Sequence, residues 1–102
     1  MRRAYDAAAR ASRLGGRSYF ETFADIGGIA AGVLALDPGD EDTQEPHGED
    51  EAYYIIEGDG YLRIGGRDYA VRPGMVFLVE AGREHRFHGN TRRLTAAYFF
   101  GG

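Results

Sequence analysis

From residue 52 onward, turn-forming residues break the chain at close intervals. They fall at Gly58-Asp59-Gly60, Gly65-Gly66, Pro73-Gly74, Ala81-Gly82 and Gly89-Asn90. The runs between them, residues 52–56, 61–64, 67–71, 75–79, 85–88 and 94–100, are short and rich in β-branched and aromatic side chains. Such runs favour strands, and many short strands at this spacing predict a sandwich or barrel. Gly65-Gly66 has the chemistry of a two-residue hairpin turn, because both central residues of that turn need a positive φ. Upstream, residues 18–24 and 29–36 suit two further strands, with Gly27-Gly28 turning the chain between them. The fold class predicted is all-β.

The first residues have a different texture. Residues 4–13 are alanine-rich, which favours helix, and Gly15-Gly16 supplies a C-terminal break. A helix this short is marginal alone. The expected organisation is therefore a short helix or arm over residues 1–17 and a single β-domain over 18–102.

Several function classes drop out on composition. There is no cysteine, so disulfides, thiolate metal sites and cysteine nucleophiles are all excluded. All twelve basic residues are arginine; without lysine there is no Schiff-base chemistry. A formal charge of -4 predicts no general affinity for nucleic acid or anionic membranes. No apolar run approaches the ~20 residues of a membrane span, and no apolar region follows Arg2-Arg3 as a signal peptide would require. A cytoplasmic protein is the expectation.

The chemistry concentrates in Glu45-Pro46-His47-Gly48-Glu49-Asp50-Glu51, at the end of a stretch, residues 37–51, whose charged residues are all acidic. In an extended chain side chains two apart share a face, so Glu45, His47 and Glu51 can point the same way. His85 opens a later strand with Phe87 on its face, while His88 falls on the opposite, solvent side. Two imidazoles and one carboxylate from neighbouring strands suit a divalent metal with open positions. Adding Glu45 makes a four-ligand set whose two negative charges offset a 2+ ion. An isolated histidine among acidic loop residues is ordinarily a solvated one, so the metal reading rests on the whole set.

The two stretches that carry this set resemble the two motifs of the cupin superfamily. The first motif runs His-x-His, three or four residues, Glu, six residues, Gly, and here His47, Glu51 and Gly58 match. The second runs Gly, five residues, Pro-x-Gly, two residues, His, three residues, Asn, and Gly74, Gly82 and His85 match. The resemblance covers about residues 29–100. Three positions depart from it: Glu45 replaces the first histidine, Glu80 the proline and Gly89 the asparagine, with Asn90 one place late. At the metal, Glu45 can ligate, can swing out to leave three ligands, or can yield its place to Gln44.

The resemblance implies a jelly-roll barrel with one divalent ion, Fe, Mn, Ni or Zn, near its axis and a small-molecule pocket beside it. Strand parity assigns Tyr53, Phe77, Phe87 and Tyr98 to that pocket, and Arg63 or Arg72 as a possible holder of a carboxylate. The functional expectation is a metal-binding cupin of unassigned activity. The alternatives are a metal-dependent enzyme of dioxygenase or isomerase type, and a metal-free binding or scaffold barrel. Edge strands that need covering, and the apolar Tyr98-Phe99-Phe100, predict a homodimer.

Overall fold

Among the described residues, eight strands form two antiparallel sheets that face each other across one core. The computed structural model describes residues 2–15 and 18–101; the expected break at Gly16 and the boundary after Arg17 lie outside the described residues. The strands are β1 (Phe20–Asp25), β2 (Ile29–Leu36), β3 (Asp50–Glu57), β4 (Tyr61–Ile64), β5 (Arg67–Ala70), β6 (Val76–Val79), β7 (His85–His88) and β8 (Leu94–Gly101). The larger sheet has the order β1-β2-β8-β3-β6 and the smaller β5-β4-β7. This is a jelly-roll arrangement, mostly β with a short N-terminal helix.

Side-chain alternation decides what faces inward. In β3, Glu51, Tyr53 and Ile55 are buried while Asp50, Tyr54 and Glu57 are exposed. In β7, His85 and Phe87 are buried while Arg86 is exposed. The core between the sheets joins Leu34, Leu36, Tyr53, Ile55 and Leu94 of the large sheet to Leu62 and Phe87 of the small one. β2 and β8 break the alternation, since Val33 and Ala97 are buried on the outer face. The helix α1 (Ala7–Ser12) explains this: its Ala11 packs on Val33 and Ala97, joined by Ala7, Leu14 and Phe23.

The helix is shorter than residues 4–13. Asp6 caps its start by accepting a bond from the Ala9 amide at 3.0 Å, and its end is held from β8's approach. There the Arg93 guanidinium donates to the carbonyls of Ala11 and Leu14 and pairs with Asp37 at 2.9 Å. Among the described residues, no helix is long and apolar enough to cross a membrane.

Gly65 and Gly66, at φ 56° and 86°, make the expected turn between β4 and β5. Gly58 is required twice over. Its φ is 105°, and a Cβ there would meet the Arg93 carbonyl and Leu94 Cα at 2.6 Å. The chain can then leave β3 hard against the start of β8.

Candidate metal centre

Residues 37–49 between β2 and β3 contain no regular strand, so the shared parity of Glu45, His47 and Glu51 is not what builds the site. A loop, the large sheet and the small sheet each contribute one donor. His47 comes from the loop, Glu51 from β3 and His85 from β7, and one ligand atom from each lies within 4.8 Å of the others. The loop is pinned where it matters. Gly82, at φ 76° in the turn after β6, donates its amide to the His47 carbonyl at 2.7 Å. Next to it, the Ala81 amide donates to the Asp50 carboxylate at 2.8 Å. The turn at Glu80-Ala81-Gly82 thus holds its shape through hydrogen bonds, without the proline of the motif.

His85 Nε2 and Glu51 Oε1 are 3.0 Å apart and buried, yet neither has a hydrogen-bond partner among the described residues. The reason lies on the other side of the ring. His85 Nδ1 is 2.8 Å from the Arg83 carbonyl, which can only accept, so Nδ1 carries the ring proton. The neutral ring therefore turns a lone pair towards a carboxylate oxygen. Two acceptors face to face in a buried site call for a cation between them. A separation of 3.0 Å is also what two donors bound at ~2.1 Å subtend at a right angle about one ion. His47 Nε2 stands 3.9 Å from the same carboxylate oxygen. Burial alone discourages charge on His85, but Glu51 and the Arg83 carbonyl outweigh it and raise its pKa. In the absence of metal, the cation that fits the gap is a proton.

A cavity of about 380 Å³ adjoins the donors, lined among others by Tyr19, Thr22, His47, Glu51, Tyr98 and Phe100. Of the four residues assigned to a pocket by parity, Tyr98 lines this cavity. Tyr53, Phe77 and Phe87 do not; they are packed into the core between the sheets. Parity separates inside from outside but not the cavity from the solid part of the interior. Glu45 is exposed and lines the cavity wall without joining the donor cluster. Neither Arg63 nor Arg72 reaches the cavity: Arg63 is bonded to Asp68 on β5 at 2.9 Å, and Arg72 is exposed. His88 is bonded to Asp68 at 2.9 Å, away from the cluster.

Two residues stand behind the donors: Gln44, named from the sequence as a stand-in for Glu45, and Asp42, which the motif spacing did not single out. Asp42 is buried and Gln44 half-buried, and Gln44 Oε1 is 2.9 Å from the Tyr53 hydroxyl. Burial first, then the Glu51 charge, pushes the Tyr53 pKa up, so it stays a phenol and a donor. No local signal marks Asp42, which is one acid in an acidic loop until the fold closes over it.

A small jelly roll with a His-Glu-His set at its inner face defines a β-barrel protein capable of coordinating a metal. The chain belongs to the cupin family, whose model, described as a cupin domain, matches residues 32–100. It is 35% identical over 72 residues to an uncharacterized protein of Streptomyces coelicolor, covering 71% of this chain and 69% of that one. It is 28% identical over 71 residues to a 5-nitrosalicylic acid 1,2-dioxygenase of a Bradyrhizobium species, covering 70% of this chain. The match spans about a third (34%) of the dioxygenase's length. Among solved structures, a cupin-2 domain protein from Shewanella frigidimarina superposes with a TM-score of 0.74 at 12% identity, covering 96% of this chain and 94% of that one. That likeness is one of fold.

Proposed function

We propose that this protein holds one divalent metal ion, Fe, Mn, Ni or Zn, through His47, Glu51 and His85, and binds a small organic molecule in the adjoining cavity. One observation carries the reading: His85 Nε2 faces Glu51 Oε1 at 3.0 Å inside the barrel, and among the described residues neither has a hydrogen-bond partner. An unpaired buried carboxylate costs on the order of several kcal/mol, and a bound cation removes that cost. The carbonyl behind His85 fixes the tautomer that ligation needs.

A second reading, that the protein is a metal-dependent enzyme of dioxygenase or isomerase type, draws on the cavity. A molecule lodged against Tyr98 and Phe100 would also touch the donors, since His47 and Glu51 line the same space. The likeness to a dioxygenase supports it further. A bound ion would supply Lewis acidity at an open position, while the protein's own part is to exclude water with its apolar lining and to orient the ligand with the Tyr98 hydroxyl. The net charge of -4 supports a small-molecule partner over nucleic acid, and the default compartment is the cytoplasm. A homodimer is the proposed assembly, with Val76, Leu78 and Phe99 offering exposed apolar surface on the outside of the large sheet.

Elemental analysis of wild type and His85→Ala by plasma mass spectrometry tests the metal. One ion per chain in the wild type and its loss in the variant is the expected result. A wild type that takes up no metal after reloading would instead make the barrel a metal-free binding domain.

A further inference from the structure

Gln44 lies beside the donor set, and its neighbours determine which end of its amide faces the metal position. Its Nε2 is 2.6 Å from Asp42 Oδ2. A carboxylate oxygen accepting other bonds takes a hydrogen from the amide nitrogen and repels the amide oxygen. Oε1 must then point the other way, and it does so, 2.9 Å from the Tyr53 hydroxyl and 3.4 Å from His47 Nε2. Asp42 cannot easily shift to release it. Besides Gln44 Nε2, the Asp42 carboxylate accepts from the Tyr19 hydroxyl at 3.0 Å, the Phe87 amide at 2.8 Å and the Gln44 amide at 3.4 Å. It is 5% exposed.

We propose that Gln44 Oε1 is the fourth protein donor to the ion held by His47, Glu51 and His85, and that Asp42 is the residue that positions it. The inference rests on the metal reading above and deepens it. An amide oxygen has two lone pairs, so one can face the ion while the other accepts from Tyr53. Asp42, by drawing on the amide N–H, shifts electron density towards Oε1 and makes it the better donor. Glu45 stands one residue further on in the chain and is exposed, outside the cluster. The neutral amide leaves Glu51 as the single carboxylate of the set, so the bound site keeps one unit of positive charge from a 2+ ion. The bland account, in which Gln44 only props Tyr53 and His47, makes no demand on the metal's electronic surroundings.

Cobalt(II) separates the two, because its visible absorption reports the ligands around it. Wild type, Gln44→Leu and Asp42→Asn are compared for Co²⁺ affinity by chelator competition and for their visible spectra, with circular dichroism checking the fold. Both variants are expected to lose about tenfold or more in affinity and to shift the absorption bands. Unchanged affinity and unchanged bands in a folded Gln44→Leu overturn the proposal while leaving the three-residue site standing. Should Gln44→Leu not fold, Asp42→Asn combined with Gln44→Glu decides. It places a carboxylate where the amide oxygen was, and is expected to change the Co²⁺ affinity and shift the absorption bands as the donor set changes; identical binding and bands overturn the proposal. A wild type that binds no Co²⁺ overturns this inference together with the metal reading it rests on.

Discussion

The Tyr98 hydroxyl reaches Thr22 Oγ1, 2.6 Å away, across an intervening strand, because Gly32 stands between them. Gly32 pairs with Thr22 on one side and with Tyr98 on the other, and the tyrosine ring lies over the space its side chain would fill. The wall of the cavity therefore depends on a missing methyl group. Gly32→Ala would drive a Cβ into the Tyr98 ring and the Glu21 carbonyl. A loss of about 1–3 kcal/mol in urea unfolding is expected, with weaker binding of any cavity ligand. A variant as stable as wild type would mean that the ring moves aside freely.

The His85–Glu51 pair predicts a pH dependence that metal abolishes. The His85 pKa is raised in the folded protein above its ordinary 6.5. Its contribution to stability is then fully present below 6.5 and is lost as pH rises through the raised value. In chelator, the urea midpoint should fall across that window. With metal bound, the ring is already neutral and the fall should disappear, while metal affinity itself climbs with pH as the competing proton leaves. A chelated protein with a flat profile above 6.5 would sink the idea of a shared proton.

His88 provides the control for His85. It sits on the same strand but bonds to Asp68, which Arg63 also holds, so that the Asp68 carboxyl is kept down at about 2. His88→Ala should keep the metal content of wild type, whereas His85→Ala should lose it. Equal loss in both, measured on folded protein, would relocate the site.

Arg93 ties the helix to the barrel through two carbonyls at the helix end. Arg93→Met keeps the apolar stem and removes the donors. Faster hydrogen exchange at the amides of α1 is expected, with metal binding unchanged. Protection equal to wild type would show that Val33 and Ala97 hold the helix unaided.

The strands were legible because each local signal agreed with the fold. Ile29–Leu36 is bounded by glycine and Asp-Pro turns, and the buried residues of Asp50–Glu57 alternate as parity requires. The donors were legible for a different reason: His47, Glu51 and His85 stand at motif spacing, and the structure brings them together. What stayed hidden depends on depth and on distant partners. Nothing in the spacing of Tyr53, Phe87 and Tyr98 tells which of three inward aromatics meets the cavity; Tyr53 and Phe87 pack on each other between the two sheets, whereas Tyr98 also lines the cavity. Asp42 is the sharper case. Its hydrogen-bond partners include Tyr19 and Phe87, far apart in the chain, so a buried acceptor is indistinguishable there from a solvated acid.

Glu51 belongs to one sheet and His85 to the other. No hairpin formed early in folding can present both, and the unfolded chain keeps them apart. Capture of an ion would therefore come after the two sheets have closed, and would lock them in that embrace like a rivet. Its departure would leave the halves joined by the packing of their inner faces, the Asp42 bond to the Phe87 amide and, at low pH, the proton between His85 and Glu51. The amount of metal retained by a population of molecules would then count how many of them have finished folding.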